Sequence, residues 1–89
     1  MKIELEGNCT VERAAEIRTL LLRALADHEK CEIGFARVTE VDLSFFQLLH
    51  AALHSFARAG RTLTLKSDLD PRFATKANRA GLKRIATSG

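Results

Sequence analysis

The stretch Val38-Thr-Glu-Val-Asp-Leu-Ser-Phe-Phe-Gln-Leu-Leu49 passes from a strand-like run straight into a helical apolar pattern, with Asp42 and Ser44 at the change of period. The first turn of a helix offers unpaired backbone N–H groups and the positive end of the dipole, so a phosphate added to Ser44 would be tolerated there. Ser44 is therefore the leading functional residue. Asp42 is placed to be the N-cap of the same helix, a role worth about 1 kcal/mol through a bond to a backbone N–H. Capping alone would account for it, and a serine in the first turn is equally ordinary as a second cap.

Downstream, Phe46, Leu49, Leu53, Phe56 and Ala57 keep helical spacing from Leu43 to Ala59, and Gly60 supplies a C-terminal stop. Thr62 to Lys66 alternates as a short strand. Asp70-Pro71 reads as an N-cap followed by proline at the first helical position, opening a last helix through Phe73, Ala77 and Ala80 to a stop at Gly81. The tail from Leu82 to Gly89 has one apolar anchor, Ile85, and is expected to fray.

Upstream, Cys31, Ile33 and Phe35 alternate with Glu32, Gly34 and Ala36, and the strand continues less regularly through Val38 and Val41. The small residues on its second face suggest a helix lying close against the backbone. Before it, Ala14, Ile17, Leu21 and Leu25, backed by Val11, Leu22 and Ala24, predict a helix over about 11–28 with Thr10 as N-cap. The chain opens with an alternating strand over Lys2 to Glu6, ended by Gly7-Asn8.

Strands separated by long helices cannot pair as hairpins, so this order predicts an α/β fold with a small, mainly parallel sheet of three to four strands and crossover helices. The 89 residues are 46% hydrophobic with one proline, which fits one domain over 1–89 and leaves no room for a second core. So few strands call for either an extra edge strand from the tail or an exposed sheet edge through which a homodimer could form.

Composition narrows the function classes. The 14 cations and 11 anions are interspersed over most of the chain, and there is no Trp or Tyr, which argues against a nucleic-acid reader. No apolar run approaches the roughly 20 residues that cross a bilayer, so membrane insertion is not expected. The opening Met-Lys-Ile-Glu-Leu-Glu lacks the apolar core of a signal peptide, so Cys9 and Cys31 are expected as free thiols, buried as small hydrophobes, in a reducing cytoplasm. His50 and His54 stand four apart on the second helix, a metal-compatible spacing, but no third ligand presents itself in the sequence, and solvated or satisfied histidines explain the pair without a metal. Arg72, Lys76, Arg79 and Lys83 form a basic stripe on the last helix, either a solvated face or a dock for an acidic surface or lipid headgroups. No glycine-rich nucleotide loop accompanies Gly34, and no cofactor is expected.

Thr39-Glu-Val-Asp-Leu-Ser-Phe-Phe-Gln-Leu-Leu49, then Ala59-Gly-Arg-Thr-Leu-Thr-Leu65 and Arg79-Ala-Gly-Leu82, resemble over nearly the whole chain the STAS domain shared by sulfate transporters and anti-sigma factor antagonists. In that family a strand leads into an Asp-Ser-Ser-Gly-Leu type motif whose second hydroxyl residue accepts a phosphoryl group. Asp42, Ser44 and Phe46 stand at the Asp, the accepting Ser and the buried Leu, and Gly60 and Gly81-Leu82 match later glycine turns. Leu43 replaces the first Ser and Phe45 replaces the Gly. The resemblance leaves Phe45 two places: an exposed aromatic anchor on the switch surface, or a member of the core after a slight roll of the helix. It also suggests that a usual leading strand is missing.

The resemblance implies a non-catalytic signalling module of the anti-sigma factor antagonist type, switched by phosphorylation of Ser44, with Asp42, Leu43, Ser44, Phe45, Gln47 and Leu48 facing the partner. That partner would be an ATP-binding serine kinase, an anti-sigma factor, or a two-component or chemotaxis signalling protein. An alternative is a constitutive STAS subunit of a membrane lipid-transport ATPase complex; a small metal protein built on His50, His54 and Cys31 is a third, from a different class.

Overall fold

The computed structural model describes residues 1–82 and Ile85. Strand β1 (Lys2–Cys9) leads through a 3-10 turn (Val11–Arg13) into α1 (Ala14–Asp27), β2 (Lys30–Val41), α2 (Leu43–Arg58) and β3 (Thr62–Leu65), then a second 3-10 turn (Pro71–Phe73) and α3 (Ala74–Arg79). The sheet has the order β1-β2-β3, and both neighbouring pairs are parallel. The expected α/β class and parallel sheet are present, with three strands among the described residues.

β1 runs past Gly7 and Asn8 to Cys9, with Gly7 taking the turn-like φ of +72° inside the strand rather than ending it. From Lys2–Cys9 to Glu32–Val41 the register shifts twice, between Glu4 and Glu6 and between Gly7 and Asn8, each time leaving an extra residue on β2. These bulges change the parity of β2, so Cys31, Ile33 and Phe35 point inward at spacing two while Val38 and Val41 return to the core at spacing three. They are the physical cause of the irregular second half of the strand pattern.

Ile3, Leu5, Ile33 and Phe35 from the strands, Ile17 and Leu21 from α1, and Phe45, Phe46, Leu49 and Phe56 from α2 join one buried cluster. The helices thus cover one sheet face. The opposite face is open, with Glu4 and Glu6 on β1 and Thr62 and Thr64 on β3 exposed, and with ion pairs from Lys66 to Glu4 (4.0 Å) and Arg37 to Glu6 (3.9 Å). Gly34 lies on this face. Its nearest neighbours are atoms of the Glu4 carboxylate rather than of a helix, and a Cβ at Gly34 would come within 2.5 Å of Glu4 Oε2.

β3 pairs only with the first part of β2, Lys30–Ile33. Beyond it, the Asp68 carboxylate accepts from the Phe35 N–H at 2.8 Å, Arg72 donates to the Thr39 carbonyl at 3.3 Å and Lys76 to the Val41 carbonyl at 3.2 Å. Side chains from the C-terminal segment therefore satisfy a sheet edge that a fourth strand would otherwise cover. Leu82 and Ile85 are fully buried and the Leu69 N–H donates to the Ile85 carbonyl, so this part of the tail is anchored. The remaining tail residues, with Lys83 of the basic stripe, lie outside the described residues.

Candidate functional site

Asp42 sits between the end of β2 and the first residue of α2, in extended conformation, and its two carboxylate oxygens serve different elements. Oδ1 accepts from the Ser44 hydroxyl at 2.6 Å and from the Phe45 N–H at 3.2 Å, capping α2. Oδ2 accepts from the Val11 N–H at 2.9 Å, across from the start of the first 3-10 turn. Thr10, the expected cap there, makes no side-chain capping bond. One carboxylate thereby caps two helical starts and fixes them to each other. Burial pushes the Asp42 carboxyl up, but the Ser44 hydroxyl and the N–H groups of Val11, Phe45 and Ser44 outweigh it and hold the group below the usual aspartate range.

Ser44 is half-buried in the first turn of α2, with its hydroxyl donating to Asp42. Leu43 beside it is 64% exposed and Gln47 is exposed, while Leu48 is half-buried and turned toward α1, where it lines an apolar groove with Leu22, Leu25 and Phe56. Phe45 is not on this surface. Its exposure is 1%, and its ring packs edge-on against Phe35 of β2 (centroids 6.0 Å apart) and against Phe46 (5.5 Å). The reason lies in the phase of α2: the buried positions Phe45, Phe46, Leu49, Ala52 and Phe56 follow the 3.6-residue stripe, which excludes Leu43 and includes Phe45. The exposed-anchor reading of Phe45 is thus corrected, and Leu43 is the apolar side chain that projects at the head of the helix.

Two further features were not found from sequence. Val11, expected to back the core face of the first helix, is 67% exposed, because the chain starts there as a 3-10 turn tied to Asp42 before α1 proper begins. Asp42, Leu43, Phe46, Lys76, Arg79 and Ala80 line a hollow of about 410 Å³ between the head of α2 and α3. The two helices are joined below it by a 2.6 Å bond from His50 Nε2 to the Ala80 carbonyl. Helical spacing marks Lys76 and Arg79 as part of a basic stripe, but their meeting with Asp42, Leu43 and Phe46 depends on how α3 packs against the head of α2, which linear spacing does not carry.

His54 is exposed on the turn after His50, Cys31 lies on β2, and no group of three or more potential metal ligands converges among the described residues. Both cysteines are free and buried, and burial pushes each thiol up despite the opposing charge of Arg13 near Cys9 and of the N-terminus near Cys31. No helix among the described residues is long and apolar enough to cross a membrane.

A search of curated proteins returns no match. Among solved structures the chain is similar to the anti-sigma factor antagonist SpoIIAA in its unphosphorylated form, with a TM-score of 0.78 at 17% identity, covering 99% of this chain and 77% of that one. At that identity the likeness speaks for the fold alone. The family model described as "Mlab, STAS domain" matches residues 1–87, and on that match the chain belongs to the STAS domain family.

Proposed function

We propose that the chain is a non-catalytic protein-interaction module of the anti-sigma factor antagonist type, whose docking surface is the head of α2 and whose switch is phosphorylation of Ser44. The observation that carries the proposal is the Ser44 hydroxyl in the first helical turn, 2.6 Å from the carboxylate that organises the surrounding surface. Phosphorylation would replace that O–H donor by a group of about two negative charges directly beside Asp42. A partner seated on Leu43, Ser44 and Gln47 would then meet repelling charge, while the helix start itself tolerates the anion. The partner in this reading is a cytoplasmic ATP-binding serine kinase, an anti-sigma factor or a related signalling protein, as suits a fold like that of an anti-sigma factor antagonist described in its unphosphorylated form.

A second reading is favoured by the same bond. Ser44 already donates to Asp42 and is half-buried, as a structural cap would be, which fits a constitutive subunit holding a membrane-transport ATPase with Ser44 never modified.

The two are separated by incubating the protein with ATP and an extract of its native cells, mapping phosphopeptides, and measuring partner affinity for Ser44→Glu. The switch predicts phosphate on Ser44 and loss of binding by the variant with its fold intact. Equal affinity of wild type and Ser44→Glu would contradict it.

A further inference from the structure

The charge of the chain is divided along its length. Residues 71–89 carry five cations and no anion, while residues 1–70 carry nine cations against eleven anions. Of the described cations in the basic segment, Arg72 is committed to Asp70 (3.6 Å) and the Thr39 carbonyl, and Lys76 to Glu40 (3.5 Å) and the Val41 carbonyl. Arg79 has no such partner among the described residues and is exposed at the rim of the hollow beside Leu43. The floor of that hollow is apolar, from Leu43, Phe46 and Ala80, and its α3 side is cationic.

We propose that this hollow seats an acidic, amphipathic segment of a protein partner, one apolar side chain inserting between Leu43 and Ala80 while a neighbouring carboxylate pairs with Arg79. The assignment rests on the docking reading above and names the chemistry of the segment that docks. Charge complementarity selects an acidic sequence, and the concave shape of about 410 Å³ suits a side chain better than a flat lipid surface. The carboxylate of Asp42 in the lining and that of Glu40, paired with the lining Lys76, also oppose a polyanionic bilayer, whereas a single peptide carboxylate can be placed on Arg79 alone. Leu43 supplies the apolar anchor and Arg79 the selectivity.

The test is selection of a random 12-residue peptide library displayed on phage against the full chain, followed by binding measurements with the enriched peptides as synthetic probes. The expected result is a consensus of an apolar residue flanked by Asp or Glu, bound at least tenfold more weakly by Arg79→Glu and by Leu43→Asp, and unchanged by Arg23→Glu on the exposed face of α1. Circular dichroism of each variant checks that it is folded, and a charge-reversed peptide recovering affinity for Arg79→Glu gives a readout that misfolding cannot mimic. Absence of an enriched consensus, a consensus without acidic residues, or indifference to Arg79→Glu would overturn the proposal. Sedimentation with phosphatidylglycerol vesicles that depends on Arg79 and Leu43, without peptide binding, would overturn it in favour of a lipid surface. A negative outcome leaves phosphorylation of Ser44 to its own experiment, since the library needs no kinase.

Discussion

Three side chains within one helical turn have three different physical roles. Asp42 is a two-sided cap, and replacing it with alanine removes acceptors from Val11, Ser44 and Phe45 together. Asp42→Ala is expected to cost about 1–2 kcal/mol in urea denaturation at neutral pH, the upper range for a cap. Because the folded state holds this carboxyl below its ordinary value, its contribution is complete above the unfolded aspartate's pKa and is lost as pH falls through the lower, folded value. The stability gap between wild type and Asp42→Ala should therefore shrink on acidification, and a gap that widened would show the sign to be wrong. Phe45 and Leu43 are distinguished by burial. Phe45→Ala is expected to cost about 3–5 kcal/mol, whereas Leu43→Ala should stay within about 0.5 kcal/mol of wild type and lose partner affinity instead.

At the scale of elements, α2 was legible because an aspartate cap, a 3.6-residue apolar stripe and a closing glycine agree with one another; Gly60 takes a φ of +71° as a helix stop should. The phase of its first turn was not legible, since both Leu43 and Phe45 are large and apolar and only the sheet beneath decides which is inside. The start of α1 is not legible for a similar reason: Thr10 looks like a cap, but the acceptor for the Val11 N–H comes from Asp42, 31 residues away. On β2 the small residues suggested a helix overhead, and the neighbour proved to be the Glu4 side chain from the adjacent strand. A Gly34→Ala variant accordingly displaces the far end of a flexible side chain rather than a helix. Its thermal unfolding should differ from wild type by no more than about 1 kcal/mol, with reduced conformational freedom of the unfolded chain offsetting the displaced Glu4; a loss of several kcal/mol would mean that this face is packed.

For the molecule as a whole, the parallel sheet follows from strand and helix order, but the proposed docking surface is assembled from distant segments. The carboxylate at position 42 draws together residues 11, 44 and 45, and the hollow beside it joins Leu43 and Phe46 to residues 76, 79 and 80 from the cationic C-terminal segment. Ser44 is hydrogen-bonded to the Asp42 carboxylate at 2.6 Å and adjoins Leu43 in the chain, so in the proposed switch a change of charge there falls beside both. The most direct measurement is the phosphate occupancy of Ser44 in protein isolated from its native cells, compared by quantitative mass spectrometry between the pool bound to its partner and the free pool. The account predicts phosphoserine at position 44 in the free pool and an unmodified residue in the bound pool. An unmodified Ser44 in both pools under every growth condition, or phosphate retained in the complex, would contradict it.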